Sequence, residues 1–496
     1  MKFSAFALVW IALSALNHRT VVSAQDDEDD MPHNVICTDV EADCVPCELQ
    51  DPMIPDTRRR RYEIRDMPRD QWEAYVDAMW TMKNLTMGEG QAKYGPLFKT
   101  HDYMVLSHAV AVTSQRGDQI HFSASFASWH AAFSLMYETT LMQIAQVDGN
   151  VLEGVPYFWN LDENVGEVLS PDFFGTHPGL GPNFEVTDGR FAYWPVSRFN
   201  MADYEEYMVD PTDTLYAGNE AGSLRAPYNQ LNSSYVTAFP SHLPGGGVVQ
   251  PYTGASYEEN ALPCLNMPYD VSSPGMWEFN KCVETPNGVS NWHSNIHVAL
   301  GGGPVTPESA GEKFQPFMAG TRGDLFDPVT SPNHPIFPTF HSTYDMFLRE
   351  WQAKHPEGKD ISWGFPYANA DLFRVLVNGL PTNITGLVND GINALDAASS
   401  AFPMTWADLG WATPDAGNAN QPVTHVDITC RLAKANAPYV YVQYSGAPEG
   451  APGVPLSELE GSADEGTSPA SAIRGLSLVP VVVLGAMALV VGWLSP

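Results

Sequence analysis

Apolar positions recur at helical spacing in five stretches of the chain. In RDQWEAYVDAMWTMKNL, residues Trp72, Tyr75, Val76, Met79 and Trp80 share one face. A second helix is predicted in LFKTHDYMVLSHAVAV. A third and longer one runs from about Ser125 to Val147, with Phe126, Trp129, Phe133, Tyr137, Leu141 and Ile144 as its core stripe. Helical signal returns over residues 290–300, and again after Pro338 in TFHSTYDMFLREWQAKH. Residues 160–270 are rich in Gly, Pro, Asn and Asp and read as long loops with short strands. Residues 361–445 are mixed, with the strand-like YVYVQY near their end. The pattern predicts a mainly α fold with long loops and a few short strands. No internal repeat is present.

The two ends read differently from this core. Residues 1–24 carry a lysine, an apolar run and a small-residue exit, the pattern of a secretory signal peptide. Residues 25–56 form an acidic, cysteine-bearing arm expected to be irregular. Residues 446–474 are a Gly/Pro/Ser/Glu linker, and 475–496 an uncharged apolar tail. The tail suits a lipid-anchor signal; a retained single span is the rival reading. Either places the protein on the secretory route, at the cell surface or outside it, with the tail or a lipid as its membrane contact.

Composition narrows the partners. The chain has 496 residues, 44% hydrophobic and 11% aromatic, enough for a large core. Its formal charge of −33 repels nucleic acid and anionic membrane surfaces. The one basic run, TRRRR from Thr57 to Arg61, reads as a solvated or acid-paired patch at a helix start. Six cysteines in a secreted chain are expected to pair. Cys264 and Cys282 flank a loop-rich stretch and are candidates for one bridge. Cys430 would close back on the cluster Cys37, Cys44 and Cys47; CVPC as half a metal site lacks a second pair. Sequons at Asn84, Asn232 and Asn383 fit the same route.

Candidate chemistry lies in the fourteen histidines. In NWHSNIHVALGGG, His293 and His297 are four apart and share a helix face. Such a pair can grip one metal, although alone it is more often two polar residues. A zinc hydrolase would carry an acid after the first histidine; position 294 is Ser294. A di-iron carboxylate site would need Glu-x-x-His pairs, which are absent here. An all-imidazole site remains, and imidazole suits copper. NHPIFPTFHSTYD offers His341 as a third ligand, and the segment from Ser107 to Phe133 offers His108, His121 and His130.

These residues resemble the tyrosinase family, the type 3 copper proteins that include catechol oxidases and haemocyanins. SFASWHAAF resembles the family's Phe-Leu-Pro-Trp-His-Arg-x-Phe stretch, with Glu138 at its helix glutamate. VPYFWNLDEN, VTDGRFAYWP, WHSNIHVALGGG and HPIFPTFHSTYDMFLREW resemble further family motifs, and RRYEIRDM its helical lead-in. The matches run in family order from about Arg60 to Gln352.

The resemblance implies a dicopper domain over residues 57–360, an antiparallel four-helix bundle, with 361–445 extending the core or shielding the site. It implies one copper on His108, His121 and His130, and a second on His293, His297 and His341. His101, on the same helix face, competes with His108. His334 competes less well with His341 and reads as a capping or surface residue. The implied activity is O₂-dependent oxidation of o-diphenols, with monophenol hydroxylation as a possible addition. Glu284 either orients a water near copper or is a surface acid beside Cys282.

Departures from the pattern bear on activity. Ser294 stands where monophenol-hydroxylating members often carry Asn. Ala131 replaces a family Arg, Phe340 replaces the first of two paired histidines, and no cysteine precedes His121 by two. Alternatives in other classes are a haemocyanin-like O₂ carrier and a non-oxidising surface relative.

Overall fold

The computed structural model describes residues 35–37, 44–46, 59–112, 120–121, 125–159, 165–197, 233–238, 261–266, 275–284, 292–301, 323–326, 331–354, 400–409, 417, 420–432, 437–447 and 451–461. The signal-like segment 1–24, the apolar tail 475–496, Asn232 and Asn383 lie outside them, as do the side chains of Cys37, Cys44, Cys47 and Cys430. Asn84 is exposed at a helix end. Among the described residues no helix is long and apolar enough to cross a membrane. The chain divides into a unit through Gly453 and a short one from Val454.

The architecture is helix-rich with few strands. Within the acidic arm, β1 (Val35–Cys37) and β2 (Cys44–Pro46) pair antiparallel, so the arm is less irregular than its composition suggests. Then come β3 (Arg59–Arg61), α1 (Arg69–Asn84), α2 (Met87–Tyr94), α3 (His101–Val112) and α4 (Ser125–Val147). The later elements are α5 (Gly275–Glu284), α6 (Trp292–Gly301), α7 (Phe337–Ala353), β4 (Ser400–Thr405), β5 (Pro422–Thr424), α8 (His425–Leu432) and β6 (Tyr439–Tyr441).

The long helix α4 is the centre of the core. Phe126, Trp129, Phe133, Tyr137, Leu141 and Ile144 are all buried, as their spacing requires. It packs against α1, α2, α7 and α8. The stripe of α1 faces inward, with Trp72, Tyr75, Val76 and Met79 buried. A capping box from Thr86 and Glu89 starts α2 by satisfying two of its free backbone N–H groups. Pro338, the second residue of α7, suits the first turn because its missing N–H has no helical acceptor. The His334 Nδ1 accepts from the Ile336 N–H just before this helix, so His334 is a buried turn-capping residue. Cys264 and Cys282 form a disulfide that staples the single turn Leu262–Leu265 to α5.

The basic run is acid-paired, one of its two readings, but Arg61 is buried and the run lies in a strand instead of at a helix start. It forms β3, which pairs parallel with β6, placing Arg59 beside Tyr439 and Arg61 beside Tyr441. Arg61 is fully buried and donates to Glu138 (2.7 Å), Asp345 (3.2 Å) and the Tyr441 hydroxyl (2.6 Å). Arg349 donates twice to Asp345, at 3.0 and 2.7 Å, and the Tyr439 hydroxyl donates to it at 2.6 Å. The Arg61 guanidinium also lies 3.4 Å over the Tyr439 ring. Two buried cations and two buried anions thereby neutralise each other, the condition under which charges are tolerated inside a core. Burial pushes the carboxyls of Glu138 and Asp345 up, but the guanidiniums beside them hold both below the usual range.

Candidate metal centre

Each candidate ligand is delivered by a helix or its entry. His108 comes from α3, His121 from the segment just before α4, and His130 from the second turn of α4. Their ring centres are 5.1 to 5.6 Å apart. His293 and His297 come from α6 and His341 from α7. In each triad the ligand nitrogens lie within 4.8 Å of one another. The Nε2 atoms of His293 and His297 are 3.2 Å apart. Two nitrogens at about 2.0–2.1 Å from one metal would stand near that separation. The triads adjoin: the His130 and His341 rings stack at 4.3 Å and 12°.

Backbone carbonyls set the tautomers. His130 Nδ1 lies 3.0 Å from the Phe126 carbonyl, and His297 Nδ1 2.6 Å from the Leu325 carbonyl. A carbonyl can only accept, so each Nδ1 carries the proton and each Nε2 keeps a lone pair for a metal. His130 Nε2 and both His341 nitrogens are buried and find no hydrogen-bond partner among the described residues. Burial, with the neighbouring imidazoles, pushes His130, His293 and His341 well below their ordinary pKa. Burial takes His297 down to about 3. These rings are neutral near pH 7, the form that binds metal. Two all-imidazole triads fit two copper ions.

His101 does not join the first triad. It faces Trp194 at 5.0 Å and Tyr137 at 6.3 Å. Glu284 is the last residue of α5 and is buried at 1% exposure, which overturns its reading as a surface acid. Its charge acts on Tyr344, whose ring centre is 6.1 Å from that of His293. Ser294 lies on α6, and its side chain is outside the described residues.

Three phenylalanines complete the enclosure. Phe340 stacks on His293 at 5.0 Å and 14° and meets His297 edge-on at 4.9 Å. What the sequence reads as a missing donor is therefore a ring clamp on two ligands. Phe337 bridges the triads, 4.2 Å from His341 and 5.3 Å from His108. Phe126 lies 4.7 Å from both His130 and His293. Sequence reasoning passed over these as wall residues, although Phe126 and Phe337 each precede a ligand by four, one helical turn.

Comparison with known proteins identifies a family. The family profile described as the common central domain of tyrosinase matches residues 93–354, just over half of the chain. A tyrosinase of Streptomyces lincolnensis is 26% identical over 276 residues, 54% of this chain and 76% of that one. A tyrosinase of Oryzias latipes is 23% identical over 266 residues, 51% of this chain and 41% of its own length. A polyphenol oxidase of Thermothelomyces thermophila has a similar structure, with TM-score 0.47 and 18% identity, over 78% of this chain and 90% of that one.

Proposed function

Because the chain belongs to the tyrosinase family, whose members hold two copper ions in a type 3 centre, we propose that it oxidises o-diphenols to o-quinones with O₂. The observation that carries this reading is the convergence of two buried triads of imidazoles, His108, His121 and His130 against His293, His297 and His341. In this proposal they hold one copper each, and α3, α4, α6 and α7 act as the antiparallel four-helix bundle around the pair. When bound, the copper pair supplies the electron transfer between the phenol and O₂.

The chain's own residues do the rest. The Phe126 and Leu325 carbonyls hold His130 and His297 with Nε2 aimed inward. Phe126, Phe337 and Phe340 exclude water and fix the ring planes. Their apolar faces suit an aromatic substrate better than an aliphatic alcohol. Ser294 replaces an amide that would hold a water more firmly, so diphenol oxidation is favoured over monophenol hydroxylation. Glu284 is proposed to orient a water from its buried position.

Export is part of the same proposal. The signal-like residues 1–24, the sequons and the Cys264–Cys282 disulfide support a secreted or surface-anchored protein.

The test is metal analysis followed by O₂ uptake on a monophenol and its matching diphenol. Two coppers per chain and diphenol turnover are expected. Two coppers without turnover would point to an O₂ carrier, and a copper-free chain to a non-oxidising relative.

A further inference from the structure

Away from the six triad histidines, buried polar atoms collect along the same helix pair. His108 on α3 lies 5.6 Å from His130 on α4. His101, seven residues earlier, lies 6.3 Å from Tyr137, seven residues later. The two helices therefore run antiparallel, and the second contact is about 10 Å further along. Ser134 falls between them, on the face of α4 that carries His130 and Tyr137. Ser134 Oγ, the Tyr137 hydroxyl and both nitrogens of His101 are buried with no hydrogen-bond partner among the described residues. The Pro332 carbonyl accepts weakly from the His101 ring and favours its protonated form. Around this line α3 is apolar, with Met104, Val105 and Leu106 fully buried.

The seam has an outer end. Asp102, the neighbour of His101, has a side chain 41% exposed and pairs with Lys83 at 2.6 Å. The Ser197 hydroxyl donates to the same carboxylate at 2.6 Å. Under-satisfied polar atoms on three neighbouring side chains of one apolar interface are costly, and water is the usual partner that relieves such groups. On the reading of the chain as a copper oxidase, we infer that this seam is a hydrated proton path. It runs from the metal centre through Ser134, Tyr137 and His101 to Asp102 at the surface.

The chemistry needs such a path for timing. Two o-diphenols release four electrons and four protons, and one O₂ takes up all eight to become two waters. No net proton enters or leaves, but protons depart the ring and reach oxygen at different steps. A centre walled by phenylalanine has few polar groups to hold them meanwhile. Burial, with the Lys83 charge second, holds His101 neutral, so its ring offers one donor and one acceptor. Burial likewise keeps the Tyr137 phenol protonated. His101 and Tyr137 are positioning and relay groups that touch no substrate.

Two measurements test this. A high-resolution crystal structure of the copper-free protein is expected to show ordered waters bridging Ser134 Oγ, Tyr137 and His101; a dry seam overturns the inference. Tyr137→Phe removes only a hydroxyl. It should keep two coppers and an unchanged KM, and lower kcat for catechol about tenfold, less than loss of a direct acid or base. The rate ratio between H₂O and D₂O should rise with it. An unchanged kcat and isotope ratio overturns the path. Should Tyr137→Phe fail to fold, Ser134→Ala carries the same expectation. Failure of the oxidase reading is distinguishable, because the wild type itself would then lack copper or catechol turnover.

Discussion

The helices α4 and α7 each carry two opposite solutions to the problem of polar groups in a core. At one end stand His130 and His341, uncharged, with nitrogens left open. Eight residues on from His130 stands Glu138; four and eight on from His341 stand Asp345 and Arg349. These are charged: Arg61 bonds both Glu138 and Asp345, and Arg349 bonds Asp345 twice. The difference teaches that one helix pair can bury polar groups either by pairing them internally or by keeping their lone pairs for a metal. The ionic cluster ties the helices together, and the neutral imidazoles supply nitrogens able to bind a metal.

The comparison can be broken at either end. The largest effect is expected from His130→Ala or His297→Ala, each of which should remove copper from one triad and abolish turnover. Two retained coppers with full activity would show the ligand assignment to be wrong. Arg61→Met leaves Glu138 and Asp345 buried without their shared cation. It should cost about 3–5 kcal/mol in urea unfolding of the copper-free protein. The folded fraction should still bind two coppers; loss of copper from it would show that the two ends are one unit.

Acid should separate the ends by pH. His130, His293, His297 and His341 are neutral in the fold near pH 7 but take a proton at about pH 6.5 once unfolded. Their folded pKa is depressed, so stability of the copper-free protein should start to fall below about pH 6.5. Glu138 and Asp345 are also depressed in the fold. Their contribution should persist down to about pH 4 and be lost below it, as pH falls through their folded values. Thermal melts across this range should show two steps of loss, the upper one suppressed by copper. A single loss near pH 4 in the copper-free protein would refute the first step. The smallest effect is expected from Phe340→Leu, below about 1.5 kcal/mol, because volume is nearly kept. Copper should stay, with catechol turnover changed only a few-fold once the clamp on His293 is gone.

The metal centre was the more legible of the two regions. Its ligands sit at helical spacings within short segments, four apart for His293 and His297, and in a family order. Spacing alone left His101 and His108 equivalent, since seven residues return to the same face. Only the partner helix separates them, by offering His130 to one and Tyr137 to the other. The ionic cluster was illegible because its members are far apart in sequence. Arg61 meets residues 77, 284 and 380 positions away. A run of arginines looks like surface until the buried acids that receive one of them are known. Strand β6 was foreseeable from alternating Tyr and Val; its partner β3, three arginines long, had no strand signal of its own.

The pairing of β3 with β6 has a mechanical consequence. The chain enters the helical core at Arg59 and leaves it after Tyr441, on two parallel strands side by side. A pull applied between the segments before and after these strands draws them in opposite directions along their length. Their backbone bonds, from Arg59 to Pro438 and from Val442 to Arg61, are then loaded together in shear instead of being unzipped singly.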